Sequence, residues 1–184
     1  QGNATSGTGV DKNELDLTIA DVLLDGVALS EAIVTSPAGF DVIGANRDLA
    51  GMDITLMSKT DSHELFKTAM AELVDDQIST QKQPYDYVII DCAPSLNLLT
   101  INALVATDSV IIPMQCEYYA LEGLADLSQT IERLTELNPK LYIRGVVRTL
   151  FDARNTLARD VSTELEAHFG DIMYKTHIPR NIRL

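Results

Sequence analysis

The chain has 184 residues, 46% of them hydrophobic, and a formal net charge of −13, which suits one domain with a substantial core, residues 1–184, better than two. No apolar run approaches the roughly 18 residues that a membrane-spanning helix needs, and no basic start leads into an apolar segment as in a signal peptide. The sequence therefore reads as soluble and cytoplasmic, with no membrane partner.

Residues 15–24 and 29–33 have the spacing of short amphipathic helices separated by the Asp25–Gly26 turn, and residues 40–45 read as a strand after Pro37 and Gly39. Two helical stretches follow; the second starts near Asp61 or Ser62 and puts Leu65, Phe66, Ala69, Met70 and Leu73 on one face. Residues 85–95 then read Tyr-Asp-Tyr-Val-Ile-Ile-Asp-Cys-Ala-Pro-Ser, and the run Val88, Ile89, Ile90 has the pattern of a parallel strand buried on both faces. Ser95 can cap a helix that runs to about Val105. Residues 109–114 make another apolar strand, 118–137 a long helix ended by Asn138–Pro139, and 141–150 a further strand. A helix over 155–169, stopped by Gly170, leads to a last strand over 172–178, closed by Pro179. This alternation predicts an α/β three-layer sandwich with a mainly parallel, twisted sheet and helices on both faces.

The carboxylate of Asp91 follows directly on the predicted buried strand, where open α/β sheets place their chemistry. A carboxylate there is costly to desolvate unless it meets a cation or donors. Two readings are open: a Walker-B-type ligand holding Mg²⁺ beside nucleotide phosphates, or an N-cap of the next helix.

Cys92 and Cys116 each lie at or just past the end of a predicted strand and read as small core residues in a reducing cytosol, with no disulfide framework. His63, His168 and His177 share no metal-ligand spacing with them. Ser95 has no Gly-x-Ser-x-Gly elbow, which argues against a hydrolase nucleophile. Tyr118 and Tyr119, opening a helix, read as core or subunit contacts. Charge is uneven: residues 1–139 hold 6 basic against 22 acidic side chains and residues 140–184 hold 8 against 5, balances of −16 and +3. Arg144, Arg148, Arg154, Arg159, Lys175, Arg180 and Arg183 thus gather in a C-terminal stretch able to neutralise phosphates, or to serve as ordinary solvated charges. Arg154 and Arg159 flank a helix start that the dipole does not favour for cations, which supports an external anion such as DNA phosphate.

Four stretches in order, Gln1-Gly2-Asn3-Ala4-Thr5, residues 85–96, Ile111-Ile112-Pro113-Met114-Gln115-Cys116-Glu117-Tyr118 and Ile178-Pro179-Arg180-Asn181-Ile182-Arg183, with residues 145–157 between the last two, resemble the ParA/Soj family of DNA-partitioning ATPases. The resemblance implies a deviant-P-loop ATPase that binds ATP and Mg²⁺ and sandwiches two nucleotides in a homodimer. It also implies that the ATP-bound form coats non-specific DNA of the nucleoid and that a ParB-type DNA-binding partner stimulates hydrolysis. By that resemblance Gln1, Gly2 and Asn3 match the tail of switch I, and Asp91 matches the Walker B carboxylate that holds Mg²⁺ through a water. Ala93, Pro94 and Ser95 match switch II, Pro179, Arg180 and Asn181 the loop lining the adenine, and Thr149 a second base-contacting turn. Arg154, Arg159 and Arg183 are the DNA candidates.

The sequence departs from the family pattern in lacking any Gly-x-x-x-x-Gly-Lys-Ser/Thr or Lys-Gly-Gly run in residues 1–184, hence any nest of backbone N–H groups for the phosphates. The Asp expected two positions before Gln1 is also missing. The expectation is a fragment lacking its first β-strand, its P-loop and a final helix, and binding ATP negligibly by itself. The alternative is a noncatalytic α/β interaction module that retains dimer or DNA surfaces.

Overall fold

The computed structural model describes residues 2–49, 51–118 and 120–181; Gln1, Tyr119, Ile182 and Arg183 lie outside the described residues. The chain divides into two compact units, Gln1–Ala106 and Thr107–Leu184.

In the first unit, Thr18 decides where the first long helix begins. Its hydroxyl accepts from the Ala20 N–H while the Asp21 carboxylate accepts from the Thr18 N–H at 2.7 Å, a reciprocal capping box. The Thr18 hydroxyl, which donates to the same carboxylate at 2.8 Å, and then the Thr18 N–H hold Asp21 below the usual carboxylate range. Helix α2 therefore spans Ile19–Asp25 rather than starting at residue 15, after a short α1 at Asn3–Gly7. The helix expected over 29–33 is a single 3-10 turn at Leu29–Glu31, and the chain then extends as β1 (Ile33–Thr35). It pairs antiparallel with β2 (Asp41–Ile43) in a hairpin turned by Pro37 to Gly39, where Gly39 has φ 87°. Period alone could not separate a short helix from this strand.

Helices α3 (Met52–Met57), α4 (Leu65–Ser79) and α5 (Leu98–Ala106) complete the unit. On α4 the residues Phe66, Ala69, Leu73 and Gln77 are buried, a stripe at helical spacing. Phe66, Ala69 and Leu73 pack with Val22, Leu23, Leu29 and Leu56. The N-cap of α5 is Asn97, whose Oδ1 accepts from the Thr100 N–H at 3.0 Å, in place of the expected Ser95. From α5, Asn102 reaches across to α4: its amide donates to the Ser62 carbonyl at 2.7 Å and its Oδ1 accepts from the Phe66 N–H at 3.2 Å.

In the second unit β3 (Ser109–Gln115), β4 (Tyr142–Phe151) and β5 (Met173–Pro179) form a parallel sheet in the order β3–β4–β5. Helix α6 (Ala120–Leu134) connects the first two strands and α7 (Thr156–Phe169) the last two. Leu124 and Ile131 on α6 and Ala158, Ser162 and Leu165 on α7 are buried. The α7 start is where the sequence put it, with Asn155 accepting from the Ala158 N–H. Gly145 is needed in β4 because a Cβ would stand 2.7 Å from the Tyr174 ring.

The largest departure from expectation is the stretch around Asp91. Residues 85–93 form no strand, and Tyr87 and Ile89 are 87% and 94% exposed. Val88 is 49% exposed, whereas Ile90 packs on the first unit's core. A strand is buried on both faces only when neighbouring strands carry covering layers past it, and no described residue pairs with this one. Cys92, expected in the core, is exposed with it, while Cys116 is buried.

Candidate functional site

Each unit carries part of the sequence-predicted site. In the first, Asp91 stands exposed, and its carboxylate makes no hydrogen bond to any described residue. The helix-cap reading of Asp91 is thereby overturned, because α5 begins seven residues later at Leu98 with its own cap. Of Ala93, Pro94 and Ser95, only Ser95 is tied down, its carbonyl accepting from the Thr100 hydroxyl at 2.8 Å. The segment is anchored further back by Tyr85, whose hydroxyl donates to Asp41 at 2.6 Å. Burial and that carboxylate push the Tyr85 phenol up to about 12.

Gly2 and Asn3 open α1. Gly2 sits in the left-handed region at φ 66°, and a Cβ there would lie 2.1 Å from the Ala45 carbonyl oxygen. Asn3 is exposed at the first turn.

In the second unit the carboxyl ends of β4 and β5 bring together three of the predicted residues. Thr149 pairs in register with Gln115, Phe151 pairs with Pro179, and the Arg180 N–H donates to the Phe151 carbonyl at 3.0 Å. Asn181 follows directly. Between Thr149 and Phe151, Leu150 adopts φ 50°, a left-handed conformation that a branched side chain takes only under constraint. The next turn is set by Asp152, which accepts from the Arg154 backbone N–H and grips its guanidinium at 3.0 and 2.9 Å. Those bonds to Arg154 lower the Asp152 carboxyl to about 2. A carboxylate so depressed favours the folded turn above the ordinary range near 3.8, and the benefit fades as pH falls through about 2. In an NMR titration the Asp152 midpoint is expected near 2, and Arg154→Ala should raise it only part of the way to the ordinary range, because the backbone N–H of residue 154 still donates; an unchanged midpoint would remove the guanidinium as the cause.

The expected basic patch is revised. Arg148 is 8% exposed and donates to the Ser162 hydroxyl, the Glu166 carboxylate and the Tyr174 and Lys175 carbonyls, so it is an internal strut and not a phosphate contact. Both terminal nitrogens of the guanidinium are taken by these partners, and its Nε, which has no partner among the described residues, is itself buried, so no donor faces an external anion. The Arg154 side chain is 91% exposed but paired with Asp152, and the Arg159 guanidinium donates to the Thr156 hydroxyl at 3.4 Å. Arg183 lies outside the described residues. Sequence reasoning missed the buried roles of Arg148, Thr5 and Asn102; the last was detectable as an amide inside the apolar run Leu-Leu-Thr-Ile-Asn-Ala-Leu-Val-Ala.

Among the described residues there is no cluster of three or more metal-ligating side chains, and no helix is long and apolar enough to cross a membrane. The donor chemistry suits a magnesium ion carried in on phosphates: one free carboxylate is what the protein commonly contributes when phosphate oxygens and waters supply the other ligands.

An α/β fold with a three-stranded parallel sheet is shared with P-loop-NTPase-like proteins. The family model described as an AAA domain matches residues 1–143. The chain is 46% identical to the sporulation initiation inhibitor protein Soj of Bacillus subtilis, over 100% of this chain and 70% of Soj. It is 42% identical to the chromosome partitioning protein ParA of Caulobacter vibrioides, over 100% of this chain and 67% of that protein. The solved structure of a cobyrinic acid a,c-diamide synthase from Mycobacterium smegmatis, with bound ADP and magnesium, superposes with a TM-score of 0.85 at 36% identity, over 98% of this chain and 71% of that one. The chain belongs to the ParA/Soj family of partitioning ATPases.

Proposed function

We propose that these residues are the greater part of an ATP- and Mg²⁺-dependent partitioning switch that dimerises, binds DNA without sequence preference and answers to a ParB-type partner in the nucleoid. The observation that carries this reading is Asp91: a carboxylate at the end of an apolar extended run, free of any capping duty. Structures with ADP and with an ATP analogue, each with magnesium, are known for a protein of the same fold at 36% identity, which supports the cofactor assignment.

In this reading Asp91 holds the metal through a water, and Gly2 and Asn3, with Gln1 before them, form the tail of the segment that responds to the γ-phosphate. Bound magnesium supplies charge neutralisation on the phosphate oxygens. Pro94 and Ser95 sit where a second responsive segment is expected. Thr149, Pro179, Arg180 and Asn181 line the adenine; the hydrogen bond from Arg180 to Phe151 supports a shared edge for these two stretches. Arg154, Arg159 and Arg183 are the DNA candidates, with the Asp152 pairing as a competitor that phosphate must displace at Arg154.

The 184 residues contain no Gly-x-x-x-x-Gly-Lys-Ser/Thr or Lys-Gly-Gly run, so a test of nucleotide turnover needs protein that carries a phosphate-binding loop. Residues 1–184 alone should bind ATP negligibly by calorimetry. In protein that carries the loop, Asp91→Ala should lower Mg²⁺-dependent ATP hydrolysis by about a hundredfold. Unchanged turnover would remove Asp91 from the mechanism.

A further inference from the structure

Thr5 is 4% exposed, and its hydroxyl makes two hydrogen bonds to one residue 40 positions away: it accepts from the Ala45 N–H at 2.9 Å and donates to the Ala45 carbonyl at 3.3 Å. A single side-chain oxygen thereby satisfies both main-chain groups of a residue just beyond β2, as a neighbouring strand would. Three further contacts hold the same junction. A Cβ on Gly2 would strike the Ala45 oxygen at 2.1 Å, and a Cβ on Gly44 would lie 2.3 Å from Leu15 and 3.1 Å from the Thr5 methyl. The Ser36 hydroxyl donates to the Thr8 carbonyl at 2.9 Å.

We infer that Thr5 is a positioning residue: its hydroxyl fixes α1, and with it the backbone of Gly2 and Asn3, against the end of the β1–β2 hairpin. The inference rests on the proposed reading of Gly2 and Asn3 as part of a nucleotide-responsive segment. The glycines permit the close approach but give it no direction, since apolar contact is non-directional; the hydroxyl supplies the direction, because its two bonds can form together in one arrangement only. A side chain of the same shape without the hydroxyl fills the space equally well and leaves the segment free to shift along the hairpin.

The test compares Thr5→Val, isosteric but without the hydroxyl, with Thr5→Ser, in protein that carries the phosphate loop. Hydrogen exchange reads the latch itself: the Ala45 amide should be protected in the parent and in Thr5→Ser, and should exchange at least about tenfold faster in Thr5→Val. ATP turnover reads its consequence. Thr5→Val should lower kcat by about ten- to a hundredfold, with the Kd for ATP changed less than about threefold, and Thr5→Ser should recover at least half of kcat. Equal losses in kcat and ATP affinity, or a Ser variant as impaired as the Val variant, would leave Thr5 a packing residue and overturn the inference, as would an Ala45 amide unaffected by Thr5→Val. Faster exchange at Ala45 in a protein whose Asp91→Ala variant still hydrolyses ATP would instead count against the proposed mechanism while upholding the latch.

Discussion

Replacing Arg148 by alanine is expected to lower the free energy of unfolding by about 3 kcal/mol. The guanidinium bonds to the Ser162 hydroxyl at 2.7 Å, the Tyr174 carbonyl at 3.1 Å, the Lys175 carbonyl at 3.4 Å and the Glu166 carboxylate. Ser162 is 5% exposed, so truncation strands its hydroxyl without water to replace the lost donor. Glu166 is half exposed and can rehydrate, which keeps the loss below that of breaking a fully buried pair. The residue also joins three elements, since β4 carries it, α7 supplies Ser162 and Glu166, and β5 supplies both carbonyls. Arg148→Lys should recover only part of the loss, because an ammonium cannot reproduce the planar fork. Urea unfolding followed by far-UV circular dichroism is the suitable readout, as the chain has no tryptophan. A change under about 1 kcal/mol would mean that the strut is dispensable.

The second large effect belongs to Asn102, 1% exposed within α5. Asn102→Leu preserves volume but strands the Phe66 N–H, one of the donors that the first turn of α4 cannot pair within its own helix, together with the Ser62 carbonyl. Each stranded buried group costs about 1–3 kcal/mol, so a loss of about 3 kcal/mol is expected despite the gain in apolar character. The same unfolding measurement decides it. A Leu variant as stable as the parent would show that water or rearranged backbone satisfies both groups. Asn102→Asp should also destabilise, because it keeps the acceptor for Phe66 but buries a charge and loses the donors to Ser62 and to the Leu98 carbonyl.

The fold was most legible where a local device ended an element. Asn155 and Gly170 bracket α7 in the structure as in the sequence, because a cap and a glycine act on their own turn whatever surrounds them. The apolar runs at 109–114 and 172–178 became β3 and β5 because a parallel sheet forms on them. An equally good run at 88–90 did not become a strand, since periodicity records what a segment can bury and not whether a partner is present to bury it. The candidate site divided in the same way. The motif residues around Asp91 and Pro179 were evident from their order along the chain, whereas Thr5, Asn102 and Arg148 carried no motif.

By itself, then, the sequence determined most of the alternation of helices and strands, a property of short-range order, and, through the resemblance of several short motifs in their order along the chain, the family. Tertiary structure alone decided that Arg148 is a strut and not an anion contact, that Asn97 and not Asp91 caps α5, and that one threonine hydroxyl holds α1 to a hairpin 40 residues away. The physical reason is that a hydrogen bond's worth depends on which partner and how much water it meets, and both are set by residues distant in the chain.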